Sequence, residues 1–386
     1  MNRIWEKTDK GAGMDEHIQE SQKSKVSEHP NDTRKRKRSI WKNILLVAVE
    51  VSVLLIAVGV LYVVTRATKE VERIEIDEEQ IIINEEVEQQ IEEEEKVEEK
   101  GYRNIALFGV DARDGELGRG TRSDSIIIAS INQDTQEIKL ISVFRDTFLN
   151  LSNDTYNKCN AAYAQGGPEQ AISMLNANLD LDITDYVTIG FAGLIDAVDA
   201  LGGIEMEVTE SEISHLNNYQ LCMAEELGVD YIPVKNSGRQ LLNGMQATAY
   251  CRIRYTKGDD FRRAERQRDV LRAMMDKAQG ASVGELTDMV NAVLPQVETS
   301  LNINEVFSVL GSVAGYHVVT SDGFPFEGSR VGANVGSKGS CVIPDDLEEN
   351  VKQLHAALYP EKTYMPSRQV QEISDEIEEM TQEYIQ

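Results

Sequence analysis

Apolar residues run almost unbroken from 44 to 64, ILLVAVEVSVLLIAVGVLYVV. As a helix these 21 residues reach about 31 Å, the thickness of a bilayer core. The run lies too far from the N-terminus for a signal-peptide core, and no convincing cleavage site follows it. It predicts one transmembrane helix, interrupted by Glu50. From residue 102 the pattern changes. RNIALFGVD, DSIIIASI and EIKLISVF are short apolar runs bounded by turn residues, and they predict three strands. The Gly-rich loop ARDGELGRGTRS joins the first two, and a turn at Asn132–Thr135 joins the last two. In an antiparallel meander the end of the first strand, the start of the second and the end of the third share one edge. Asp111, Arg122, Asp124 and Arg145 then converge there.

Helical periods follow. KCNAAYAQGG and PEQAISMLNANL predict two helices, with Pro168 in the first turn of the second. DYVTIG and IEMEV predict strands around FAGLIDAVDALGG, an amphipathic helix closed by Gly202 and Gly203. Residues 210–230 predict a helical insertion. Residues 249–255, AYCRIRY, alternate as a strand that Gly258 ends. Asp259 or Asp260 then caps a helix from near Phe261, on which Asp260, Arg263 and Gln267 share one face. Residues 283–315 predict two helices, and 316–343 short strands and Gly-rich loops. DLEENVKQLHAAL and 369–385 predict two closing helices. Strands alternating with helices predict an α/β layered domain. The expected organisation is a cytoplasmic disordered tail (1–43), a membrane span (44–64) and an acidic stalk (65–101). A folded domain (102–315) and an extension packed on or beside it (316–386) complete it.

Charge sharpens this picture. The net charge is −27, but residues 70–100 alone hold fifteen acidic and three basic side chains. That composition predicts a solvated stalk, with a short coiled coil as the alternative. Residues 250–272 run the other way, with eight basic and four acidic side chains. An acidic folded domain argues against general nucleic-acid binding. The basic cluster Arg34-Lys35-Arg36-Lys37-Arg38 before the span places the N-terminus in the cytoplasm and the folded part outside, at the cell membrane. The four cysteines, Cys159, Cys222, Cys251 and Cys341, follow the span and permit disulfides; a buried free thiol at Cys251 is the alternative. The five histidines have no zinc-ligand spacing.

The candidate chemistry lies in YCRIRYTKGDDFRRAERQR, which packs six arginines into residues 250–268. Guanidinium forks bind phosphate bidentately and stay charged, so the stretch suits a pyrophosphate. A solvated, salt-bridged helix face is the plain alternative. Arg252 and Arg254 on an apolar segment are costly to bury without an anion, which favours the polyanion site.

Six motifs stand in order along the chain: Leu107 to Arg113 (LFGVDAR), Arg122 to Ser125, Ile141 to Thr147 (ISVFRDT), Asn160 to Tyr163 with Gly166 and Gly167, Asp199 to Gly203, and the Arg-rich stretch through Arg266 and Gln267. This ordered set resembles the LytR–CpsA–Psr family of bacterial envelope proteins. Phe144 departs from the pattern, which commonly has Pro there. The resemblance implies an α/β/α sandwich with a central mixed sheet and a hydrophobic cavity for a lipid tail. It implies a phosphotransferase that moves a glycopolymer (teichoic acid, capsule or a related chain) from a polyprenyl-pyrophosphate carrier to peptidoglycan. By motif, Asp111 and Asp124 correspond to ligands of magnesium, with manganese as the alternative ion. Arg122, Arg145, Arg252, Arg254, Arg263 and Gln267 correspond to the pyrophosphate-contacting set. Asp260 corresponds to an acidic position beside it; Asp260, Arg145, Arg252 and Arg263 are expected to do the catalytic work. Phosphoryl transfer asks for the same residues, since it depends on positioning and charge neutralisation. Asp260 and Asp124 are both candidates for general base. For Asp111 and Asp124 the alternative is strand-end capping. The rival functions are a lipid-pyrophosphate hydrolase and a non-catalytic, lipid-binding regulator of envelope assembly.

Overall fold

The computed structural model describes residues 81–94, 101–111, 117–254 and 259–385. The predicted tail and span lie outside the described residues. Among the described residues no helix is long and apolar enough to cross a membrane.

The chain opens with helix α1 (Glu85–Glu94) and the strands β1 (Tyr102–Val110), β2 (Ser123–Asn132) and β3 (Glu137–Val143). Two short strands, β4 (Phe148–Asn150) and β5 (Tyr156–Lys158), lead into α2 (Asn160–Leu179). Then come β6 (Asp185–Ile189), α3 (Phe191–Ala200), β7 (Ile204–Val208), α4 (Glu210–Leu227) and β8 (Gly238–Leu242). Helices α5 (Gly244–Arg252), α6 (Asp259–Gln279) and α7 (Val283–Val293) follow, with β9 (Val297–Thr299) and α8 (Ile303–Gly311). The chain closes with β10 (His317–Phe324), β11 (Arg330–Asn334), β12 (Ser340–Pro344), α9 (Leu347–Leu358) and α10 (Arg368–Thr381).

The central sheet has six strands in the order β10-β3-β2-β1-β6-β9. β1, β2 and β3 form the antiparallel meander, with Phe108 opposite Ile126 and Ile128 opposite Ile141. β6 joins β1 in parallel, and β10 joins β3 in parallel, so the sheet is mixed. β2 is central and covered on both faces, which is why SIIIAS is apolar without alternation. Ile126, Ile128 and Ile141 pack with Ile172, Leu175, Val351 and Ile377 of α2, α9 and α10. On the opposite face Ile127, Ala129 and Leu140 pack with Leu271 and Met275 of α6. Within α2, Gly167 breaks the helix at φ 74°, ψ −159°, and Pro168 starts the second segment, as the residue pattern predicted.

Several expectations need correction. Residues 316–386, expected to pack on or beside the domain, are built into its sheet and core. β10 is the edge strand of the central sheet, and α9 and α10 complete the core on one face. The predicted strand at 249–255 is the end of α5 through Arg252, followed by Ile253 in extended conformation. Asn243 and Gln246 form a capping box that starts this helix, and its residues 244–251 are all buried. Burial on every side erases the helical polar–apolar contrast that would have revealed it. β9 was not anticipated; it is only three residues long. The acidic segment is not solvated throughout, because Asn84 is buried and donates to Asp180 Oδ1. Ile82 N–H also donates to Ser173 Oγ at 3.1 Å. All four cysteines are free, Cys222 exposed and Cys159, Cys251 and Cys341 buried.

Candidate functional site

The meander and α6 together build a polar recess. The end of β3 delivers Arg145, the start of β2 delivers Asp124, and the first turns of α6 deliver Asp260, Arg263 and Gln267. Arg145 Nη1 donates to Asp124 Oδ1 at 2.5 Å, and its Nη2 lies 3.9 Å from Asp260 Oδ1. Arg254 approaches the same two carboxylates, Asp124 Oδ2 at 3.8 Å and Asp260 Oδ1 at 3.9 Å. Arg263 Nη1 lies 3.2 Å from Asp260 Oδ1, the one-turn spacing expected on this face. Its Nη2 donates to the Asp124 carbonyl at 3.4 Å. Asp146 flanks the cluster, 3.6 Å from Arg145 Nε and 3.1 Å from Lys158.

The electrostatics follow from this crowding. Burial alone would lower the Arg145 pKa, but Asp124, Asp146 and Asp260 together hold it above its ordinary value. For Arg263 burial and then Arg145 dominate, and its guanidinium is pushed down to about 10. Arg252 Nη1 and Arg263 Nε are buried and have no hydrogen-bond acceptor among the described residues. Buried donors without acceptors are costly in a folded protein, and an anion would satisfy them.

Arg252 is positioned by a different device. α5 crosses α3 at backbone distance: a Cβ on Gly244 would sit 2.1 Å from the Ile195 carbonyl. Asp199 Oδ1 accepts from the Gly244 N–H at 2.7 Å and anchors the start of α5. The helix then ends with Arg252 over the Phe191 ring at 4.2 Å and the Tyr219 ring at 5.5 Å. Asp111, Asp124, Arg252, Arg254, Arg263 and Gln267 all line this recess. Arg122 is the exception among the expected residues: it is exposed at the start of β2 and lines none of these walls. Among the described residues no cluster of three or more His, Cys, Asp or Glu could hold a metal; Asp111 and Asp124 are a pair.

The recess opens into an apolar cavity between the sheet, α3, α6 and α7. Its walls include Leu107, Val187, Leu194, Leu271, Met274 and Val293. Asp124, Phe191, Cys251 and Gln267 line both spaces, so polar and apolar chambers are continuous.

Of the six arginines in 250–268, the family resemblance assigns Arg252, Arg254 and Arg263 to the pyrophosphate and leaves the other three unassigned. The structure divides them. Arg252, Arg254 and Arg263 face the recess, and Arg262 pairs with Glu265 at 2.6 Å. Arg266 is buried against Glu212 at 2.9 Å and donates to the Ile253 carbonyl at 3.2 Å. Arg268 donates to Ser321 Oγ at 2.9 Å. The sequence also carried no sign of Phe144, Phe261 and Arg330 as a cluster. Phe144 and Phe261 meet edge to face at 4.6 Å, with the Arg330 guanidinium 4.1 Å above Phe261.

Comparison with known proteins agrees with this architecture. The LytR_cpsA_psr family profile matches residues 59–340. The chain is 31% identical over 228 residues to polyisoprenyl-teichoic acid–peptidoglycan teichoic acid transferase TagU of Oceanobacillus iheyensis, over 56% of this chain. That match spans 64% of the relative's own length, a little under two thirds. The crystal structure of Bacillus subtilis TagV is 27% identical with a TM-score of 0.53, covering 69% of this chain and all of that one. The Bacillus subtilis YwtF (TagT) structure with bound octaprenyl pyrophosphate lipid shares the fold, with 21% identity and a TM-score of 0.50. There the match covers 67% of this chain and 91% of that one.

Proposed function

The chain belongs to the LytR_cpsA_psr family, and we propose that it transfers a glycopolymer from polyprenyl pyrophosphate to peptidoglycan. One observation carries this reading. A recess of guanidinium groups, three of which (Arg145, Arg252 and Arg263) have buried donors without an acceptor among the described residues, is continuous with a large apolar cavity. That pairing suits an amphiphile with a pyrophosphate head and a long hydrocarbon tail. The relatives' names and the lipid in the YwtF structure point the same way. The apolar run 44–64 would anchor the enzyme in the cell membrane, with the folded domain outside.

The chemistry follows from the positions of the groups. The acceptor sugar's hydroxyl oxygen attacks the phosphorus that carries the donor sugar. The bond to the bridging oxygen breaks, and the lipid phosphate leaves with its electron pair. Arg145, Arg252, Arg254 and Arg263 hold the charge that builds on the phosphate oxygens. The hydroxyl proton passes to Asp260. Among the described residues the ion pairs of Asp260 to Arg145, Arg254 and Arg263 are all made by Oδ1, so Oδ2 is the oxygen that would accept it. Asp124 is the weaker candidate for base, because Arg145 and Arg254 engage both its oxygens.

Two carboxylates in one recess also fit magnesium, or manganese, which takes one or two protein carboxylates and completes its shell with phosphate oxygens and water. Asp111 and Asp124 would hold the ion, which adds positive charge beside the phosphates. Asp124→Asn is therefore expected to lower turnover at least ~100-fold, the loss of a group that acts in the transition state. Wild-type turnover in this variant would remove Asp124 from the site.

A further inference from the structure

Past Arg145, Asp260 and Arg263 the phosphate recess continues into a second cavity, on the side away from the apolar one. Along α6, Gln267, Val270, Leu271 and Met274 line the apolar cavity, toward the helix C-terminus. Asp260, Phe261, Arg263, Ala264 and Gln267 line the second cavity, toward the N-terminus. Its far wall is the β11–β12 ribbon, through Gly332, Ser340 and Val342. Asp124 and Gln267 border all three spaces. The phosphate recess thus has one opening lined by hydrocarbon and another lined by polar and aromatic groups together.

We infer that this second cavity is the entry site of the acceptor glycan. The inference rests on the transfer reading above and adds a subsite to it. Displacement at phosphorus is in line, so the nucleophile must arrive opposite the leaving group. The leaving lipid phosphate lies with the apolar cavity, and the second cavity lies on the other side of Arg263 and Gln267. Its lining is suited to a hydroxyl-bearing ring. Asp146 and Asp260 are acceptors for sugar hydroxyls, and Ser142 and Ser340 offer hydroxyls of their own. Ser142 Oγ is buried without a hydrogen-bond partner among the described residues. Phe261 is 38% exposed and is held in place by Phe144 and Arg330. Phe144 in turn rests on Gly323, where a Cβ would come within 2.3 Å of its ring. The C–H groups of a sugar ring pack on the electron-rich face of such an aromatic. During transfer the acceptor oxygen in this cavity forms the new P–O bond, the bond to the bridging oxygen breaks, and the proton passes to Asp260.

Two variants test the assignment in the full-length chain in detergent. Gly332→Phe is expected to obstruct the cavity; Gly332 lines it, and an added Cβ there meets nothing within 4 Å, so the side chain starts into open space. Phe261→Ala removes the exposed aromatic. Both should raise KM for a peptidoglycan fragment about tenfold or more, while KM for the lipid donor and the slow hydrolysis by water stay within about twofold. A raised donor KM with the acceptor KM unchanged would give the cavity to the donor's own sugar and overturn the inference, as would no change in either. Binding of the fragment without donor, followed by saturation-transfer NMR, separates this from the function itself. Wild-type binding lost in Gly332→Phe supports the cavity even if no joined product forms. Absence of wild-type binding, or binding that survives Gly332→Phe, overturns it.

Discussion

Arg263→Met should make the protein more stable and the site less able to hold an anion. Arg263 is only 4% exposed and shares its space with Arg145 and Arg254. Burial, then Arg145, draws its pKa from 12.5 to about 10, against the pull of Asp260. A cation whose folded pKa lies below its unfolded value destabilises the fold at every pH below both values. The penalty is therefore complete at pH 7 and is relieved only as pH rises through about 10. Each pKa unit corresponds to about 1.4 kcal/mol, so the penalty is about 3 kcal/mol. Methionine keeps most of the buried volume and removes the charge. The variant should gain about 1–3 kcal/mol, after allowance for the lost pair with Asp260, which is several degrees in Tm. Thermal unfolding at pH 7, with and without inorganic pyrophosphate, reads both halves. Pyrophosphate at 100 times its Kd should stabilise the wild type by about 2.7 kcal/mol, and the variant far less at the same concentration. A variant less stable than wild type without ligand, or one with the same pyrophosphate shift, would refute the reasoning.

The buried pair Glu212–Arg266, 2% and 1% exposed, makes the opposite prediction. Glu212→Gln should cost about 3–5 kcal/mol in urea unfolding, whereas Glu212→Leu with Arg266→Met should recover most of it. The single variant should also weaken pyrophosphate binding, because Arg266 holds the Ile253 carbonyl between Arg252 and Arg254. Of the four cysteines, only Cys222 should react with a thiol reagent in the native protein at pH 8. Burial pushes Cys251 up to about 12 and raises Cys159 and Cys341, so two or more fast-reacting thiols would contradict the packing. A folded domain cut to begin at residue 101 should melt below one beginning at 81, since Asp180 loses the Asn84 donor, a loss of about 1–3 kcal/mol. Equal melting temperatures would show that residues 81–84 contribute nothing.

The parts of the site that connectivity decides were legible in the sequence. Three consecutive strands bring Asp124 and Arg145 to one edge whatever else the chain does, and a helix puts Asp260, Arg263 and Gln267 on one face. The parts decided by distant packing were not. β10 pairs with β3 across some 180 residues of chain, and its pattern, HVVTSDGF, is too mixed to mark a central-sheet strand. Arg266 looks like Arg263 in the sequence, and only Glu212, 54 residues away, turns it into a structural group. Arg252 was read on a strand because a short, fully buried helix shows no polar face. Phe144, a departure from the family pattern, acquires meaning only beside Phe261 and Arg330.

The central claim is tested most directly by identifying the product. The full-length chain would be given a short-chain polyprenyl-pyrophosphate sugar and peptidoglycan oligomers, with and without magnesium, and the products read by mass spectrometry. The account predicts sugar phosphate joined to the oligomer, dependent on magnesium and lost in Asp111→Asn and Asp124→Asn. Sugar phosphate released without joining would mean hydrolysis, and tight lipid binding with no product would mean a sensor; either result contradicts transfer.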